Sequence, residues 1–94
     1  MPQPFTEKQG QYLAFIHAYR TLNRRSPAEA DMQRFFGTTP PSVHRMVLEL
    51  EHRGLIRRSP GQARSIELLV APEDLPVLRA PAQSQPIKTS VSRY

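Results

Sequence analysis

Gly37-Thr38-Thr39-Pro40-Pro41-Ser42-Val43-His44-Arg45-Met46-Val47-Leu48-Glu49-Leu50 decides how this chain folds. Gly37 suits the left-handed cap that ends a helix. Two residues later Thr39 offers a capping hydroxyl, and Pro40 fixes φ at a first helical position, where no amide donor is missed. From there Val43, Val47 and Leu50 recur at i, i+4, i+7 on one helical face. The spacing predicts a helix from about Pro40 to Arg53, stopped by Gly54. One helix ending at Gly37 and the next starting at Pro40 leave only the tight connection of a helix-turn-helix.

Upstream, Ser26 reads as an N-cap, Pro27 as the first helical position and Glu29 as the partner that closes a capping box. Met32, Phe35 and Phe36 are the apolar face of that short helix. Before it, Thr6 and Gln9 have capping-box spacing. Tyr12, Phe15, Ile16 and Tyr19, widened by Leu13, form a stripe at helical spacing, which predicts a helix over about Thr6–Leu22. Asn23-Arg24-Arg25 connects the two.

Downstream the period changes. Leu55–Arg58 and Ser65–Leu69 are short β-compatible runs, and Ser59-Pro60-Gly61-Gln62-Ala63-Arg64 between them is turn-like, so a β-hairpin is expected with Ile56, Ile66 and Leu68 facing the helices. Three helices and a hairpin make a mainly α domain with a small two-stranded wing, a winged helix-turn-helix. It occupies residues 1–70. Residues 71–94 form a Pro-rich C-terminal extension, in which Leu75, Val77 and Leu78 can dock on the core and residues 80–94 are expected to be disordered.

The whole chain is 94 residues long, 38% hydrophobic and 22% charged, which suits one small domain with a modest core. The absence of Cys excludes a disulfide scaffold, a Cys-ligated zinc site and a thiol nucleophile. No apolar run has the length of a membrane span and no signal peptide opens the chain, so a cytoplasmic address and no membrane partner are expected. The net charge is +5, and eleven of the thirteen bases are Arg. That balance suits a polyanion, and the guanidinium fork matches phosphates and guanine edges.

The third helix has two faces. Burying Val43, Val47 and Leu50 leaves Pro41, Ser42, His44, Arg45, Leu48 and His52 toward solvent. A helix fits the major groove of B-DNA and meets base edges with its first turns. Arg45 is the best candidate for a guanine contact. His44 can donate or accept according to tautomer, and the hydroxyls of Ser42 and Thr39 suit a base edge or a phosphate. Capping alone is also a sufficient role for Thr39. On the wing, Arg57, Arg58 and Arg64 around the Pro-Gly turn are candidates for backbone or minor-groove contact, with Gln62 at the tip, although strand alternation sends Arg57 and Arg58 to opposite faces. A solvated hairpin is the plainer alternative. Arg24 and Arg25 are weaker phosphate candidates, and Arg20 and Lys8 read as surface charges. Glu49 and Glu51 lie farther along the third helix and favour contacts at its start. His44 and His52 have no acid or Cys at metal-ligand spacing, so no metal and no cofactor are expected.

These residues resemble the N-terminal DNA-binding domain of the LexA repressor family from about Phe5 to Leu69. The resemblance rests on Phe5-Thr6-Glu7-Lys8-Gln9, Ser26-Pro27-Ala28-Glu29 and Ser42-Val43-His44-Arg45. It is closest over Leu50-Glu51-His52-Arg53-Gly54-Leu55-Ile56-Arg57-Arg58 and Ala63-Arg64-Ser65-Ile66-Glu67-Leu68-Leu69. It implies a three-helix winged fold that reads operator DNA with the start of its third helix, and it carries the base-reading positions onto Thr39, Pro41, Ser42, His44 and Arg45. The connection after Gly37 looks one residue shorter than in typical members. The family's self-cleaving domain, with a serine nucleophile and a lysine base, has no counterpart here. Lys88, Ser90 and Ser92 lie in a polar tail without a scaffold to hold a base against a nucleophile, so no catalytic residue and no enzyme activity are expected.

The function expected from these observations is sequence-specific binding of double-stranded DNA, as a transcriptional regulator. Two other readings stay open at this point: a winged-helix protein-interaction module, and an accessory DNA-binding subunit of a larger complex. A homodimer also stays open, with Leu75, Val77 and Leu78 as its only evident seam.

Overall fold

The computed structural model describes residues 4–80. The chain runs α1 (Glu7–Asn23), α2 (Glu29–Phe36), α3 (Pro40–His52), β1 (Ile56–Arg57) and β2 (Glu67–Leu68), followed by a 3-10 turn at Pro72–Asp74. Residues 81–94, to which most of the expected disordered tail belongs, lie outside the described residues.

α1 begins as its spacing predicts. The Gln9 amide donates to the Thr6 hydroxyl at 3.1 Å, and the Thr6 amide donates to the Gln9 side-chain carbonyl at 2.9 Å. This reciprocal pair satisfies two amides that a helix start leaves without partners. Arg24 ends α1 in the left-handed region, at φ 62°.

α2 begins later than its sequence punctuation suggests. Ala28, not Ser26, is the N-cap, and it carries no capping side chain. Asp31, not Glu29, accepts the Ala28 amide, at 2.8 Å. The reason is tertiary. Ser26 and Pro27 are buried, and the Ser26 hydroxyl donates to the Ile66 carbonyl at the edge of the wing. Both residues are needed where the wing meets the helices, so the helix opens one step beyond them. The C-terminal end follows expectation. Gly37 adopts φ 63°, and the Thr38 amide returns to the Gln33 carbonyl at 3.2 Å.

α3 starts with Thr39 as N-cap, its hydroxyl accepting the Ser42 amide at 3.3 Å. Val43, Val47 and Leu50 are fully buried, in one cluster with Leu13, Ile16, Met32, Leu55, Ile56 and Ile66. The aromatic residues close the other side of this core. Tyr12 stacks on Phe36 at 4.0 Å between centroids, and Phe15 on Phe35 at 4.8 Å. Gly54 turns the chain at φ 75°, and the Leu55 amide returns to the Leu50 carbonyl at 3.0 Å, which delivers Leu55 and Ile56 into the core.

The wing is shorter than the two runs predict. Only Ile56↔Leu68 and Arg57↔Glu67 are in antiparallel register, with one further bond from the Leu69 amide to the Leu55 carbonyl. Its loop is fastened at the base instead. The Ser59 amide donates to the Ser65 hydroxyl at 2.9 Å, and that hydroxyl donates to the Ser59 carbonyl.

Residues beyond the wing lie back across α1. Leu75 and Leu78 pack on the core, whereas Val77 is 81% exposed. Gln11 holds this segment twice, donating to the Val77 carbonyl at 2.9 Å and accepting the Arg79 amide at 2.8 Å. Two of the three residues of the candidate dimer seam are therefore already covered within the chain.

Candidate nucleic-acid interface

The start of α3 is held by its own cap. Thr39 accepts the Ser42 amide and donates to the Ser42 hydroxyl at 2.9 Å, so the two hydroxyls act as a linked pair at the helix entrance. Pro41, His44, Arg45, Leu48 and His52 line the solvent side of α3, opposite the buried valines, while Ser42 is half-buried. Among the described residues Arg45 makes no hydrogen bond or ion pair, so its guanidinium is free for an external acceptor. Its exposure and lack of a carboxylate follow from the wheel: Pro41 and Leu48 flank it, and Glu49, one turn on, pairs with Arg53 at 3.2 Å.

His44 is placed differently from Arg45. Its Nδ1 lies 3.1 and 3.2 Å from the two carboxylate oxygens of Glu29 on α2. Glu29, which capping-box spacing would place at the start of α2, turns instead across the helix-turn-helix to the solvent face of α3.

The wing arginines divide into three roles. Arg57 is exposed and pairs across the ladder with Glu67 at 2.8 Å. Arg58 is half-buried and reaches Glu51 on α3 at 3.0 Å, fixing the wing against the helix. Arg64 turns inward, at φ 55°, and its guanidinium donates to the Tyr19 hydroxyl, the Ser26 carbonyl and the Asp31 carboxylate at 3.1–3.2 Å. The structure therefore makes Arg64 a brace between the wing loop, α1 and α2 rather than an outward cation. Gln62 is exposed at the tip. Between this loop and the start of α2 lies an open cleft of about 290 Å³, lined in part by Glu29, Arg58, Gln62 and Arg64.

Asp31 is the charge that organises this junction. The Ala28 amide, with help from Arg64 and Arg34, holds its carboxyl below the usual carboxylate range against the opposing effect of burial. Arg64 is shifted upward, chiefly by its bond to Tyr19. Arg20, read from sequence as a surface charge, donates to the Ser26 hydroxyl and the Ile66 carbonyl, both at 3.1 Å. The spacing of Asp31 three residues after Ala28 is a signal for its capping role. No local signal marks Arg20, whose partner carbonyl is 46 positions away.

Lys8, Arg24, Arg25 and Arg45 have neither an ion pair nor a side-chain hydrogen bond among the described residues. Arg25 borders a shallow cleft with Arg20 and Glu67, beside the wing. No three His, Asp or Glu side chains among the described residues gather as a metal site. No helix among them is long and apolar enough to cross a membrane.

Three helices, a tight turn into α3 and a two-stranded wing define a winged helix-turn-helix of the DNA-binding class. The family pattern described as the LexA DNA binding domain matches residues 2–65, and the chain belongs to that family. It is similar to the LexA repressor of Thermosipho africanus (strain TCF52B), 39% identical over 72 residues that cover 77% of this chain and 36% of the relative. The LexA repressor of Thermosipho melanesiensis (strain DSM 12029 / CIP 104789 / BI429) is 40% identical over 70 residues, covering 74% and 35%. That of Zymomonas mobilis subsp. mobilis (strain ATCC 31821 / ZM4 / CP4) is 39% identical over 70 residues, covering 73% and 32%. The chain thus spans about a third of the length of the curated relatives it matches.

Proposed function

We propose that this chain is a sequence-specific binder of double-stranded DNA that regulates transcription by occupying its site, without catalysing a reaction. The start of α3 lies in the major groove, where Arg45 reads a guanine and His44 and Ser42 contact neighbouring base edges or phosphates. Thr39 and Pro41 set the approach of the helix. Arg57 and Arg58 exchange their carboxylate partners for phosphates, Gln62 reaches the backbone or minor groove, and Arg24 and Arg25 add phosphate contacts. Arg64 contributes by holding the wing. Its work is in the cytoplasm, with the DNA.

The observation that carries this reading is Arg45: an exposed guanidinium, without a partner among the described residues, on the solvent face of a helix whose other side is locked into the core. A bidentate arginine–guanine pair discriminates against other bases by about 1–3 kcal/mol. Because one such helix covers few base pairs, we extend the reading to two chains on a two-fold symmetric site.

Selection of bound duplexes from a random pool tests the whole reading. The expected result is a defined site with two inverted half-sites. The affinity should fall with salt at a log–log slope of roughly −4 to −5 per bound chain, for about four to six phosphate contacts. A defined but asymmetric site removes the second chain from the reading. If no duplex binds even at low salt, the fold serves a protein partner instead.

A further inference from the structure

The Glu29–His44 contact joins α2 to the recognition face and is not needed for the fold: both side chains are substantially exposed, at 38% and 53%. α2 already has its capping acid in Asp31. The contact does have a chemical consequence. A carboxylate can only accept hydrogen bonds, so the imidazole nitrogen facing it must carry the proton. When the ring is neutral, a proton on Nδ1 leaves Nε2 with a lone pair. Among the described residues Nε2 has no partner.

We infer that Glu29 is a specificity-determining positioning residue, which holds neutral His44 in the Nδ1–H tautomer so that Nε2 meets the DNA as an acceptor. In the major groove the donors are the exocyclic amino groups of adenine and cytosine, whereas guanine and thymine offer acceptors at the corresponding oxygens. His44 set by Glu29 therefore selects an adenine or cytosine amino group and disfavours guanine. Without the carboxylate the ring is free to carry its proton on Nε2, and the same side chain becomes a donor that favours guanine. This assignment rests on the proposal that the start of α3 reads bases.

The test uses the full chain at about pH 8.5, well above the range in which unperturbed imidazole titrates. First, His44→Ala locates the base pair whose preference depends on His44 within the selected site. Nitrogen chemical shifts of the His44 ring should then report Nδ1–H in the wild type and a shift toward Nε2–H in Glu29→Ala. In the same variant, the affinity ratio of duplexes with adenine or cytosine over guanine at the contacted position of one strand should fall about fivefold, the size of one exchanged hydrogen bond. Removing a negative charge beside DNA strengthens binding to every duplex, but the ratio cancels that effect. Circular dichroism verifies the fold of the variant.

A wild-type ring with its proton on Nε2 overturns the inference, as does a base ratio unchanged by Glu29→Ala. Either result leaves DNA recognition by α3 standing. If no specific duplex is selected, or if His44→Ala alters no base preference, the underlying reading of His44 fails instead.

Discussion

Replacing Asp31 by Ala removes three interactions at one point. The Ala28 amide loses its capping acceptor, and the Arg64 guanidinium loses the ionic partner among its three acceptors in the described residues. The exposed Arg34 loses an ion pair of little weight. The Asp31 side chain is only 9% exposed, so water cannot fully replace it. Loss of a cap costs about 1 kcal/mol, and loss of a charge-assisted bond about 1.5–3 kcal/mol. Together these give roughly 2.5–4 kcal/mol, a large share of the roughly 5–15 kcal/mol that holds a domain folded. For a domain of this size, Tm should fall by roughly 10–30 °C. The pH dependence has a definite sign. The carboxyl titrates below its usual range in the folded state, so its contribution is complete above about pH 4 and is lost as pH falls through the lowered value. Thermal melts of both proteins from pH 7 downward should show a full gap at neutral pH that narrows below about pH 4. A variant that melts within about 2 °C of wild type at pH 7 would refute the brace, since a single lost kcal/mol already moves Tm by about 4–8 °C. A gap that stays constant to pH 2 would refute the charged character of the contact.

Arg45→Ala should leave the melting temperature unchanged and flatten selectivity at one base pair by about 1–3 kcal/mol, read by competition between duplexes. Leu50→Ala opens a cavity where no part of the side chain is exposed, and urea titration should show a loss of about 2–5 kcal/mol. Gly10→Ala tests the docked C-terminal segment. The added Cβ would lie 3.0 Å from both the Phe5 ring and the Pro76 ring, so amide exchange should accelerate at Val77–Arg79 while α3 stays protected.

The elements legible from sequence are those whose signals are local. Thr6 and Gln9, Thr39 and Pro40, and the glycines at 37 and 54 each act within a single turn, and the structure has each cap in place. The buried face of α3 was equally plain, because Val43, Val47 and Leu50 repeat at the period of a helix. The start of α2 was not. Ser26-Pro27-Ala28-Glu29 has the spacing of a helix start at Ser26, but the wing draws the Ser26 hydroxyl to the Ile66 carbonyl, 40 positions away, and the helix opens beyond it.

The same division runs through the candidate interface. Local periodicity alone was enough to put Arg45 on the solvent face of α3, since burying one helical stripe determines its opposite. Nothing local could pair Glu29 with His44, Arg58 with Glu51 or Arg64 with Asp31, because each pair joins separate elements. The arginines of the wing look alike in the sequence, yet one is exposed, one is wedged against α3 and one is turned inward. A side chain's period along its own helix or strand says which way it leaves the backbone. Only the packed fold brings up the acceptor that it meets there.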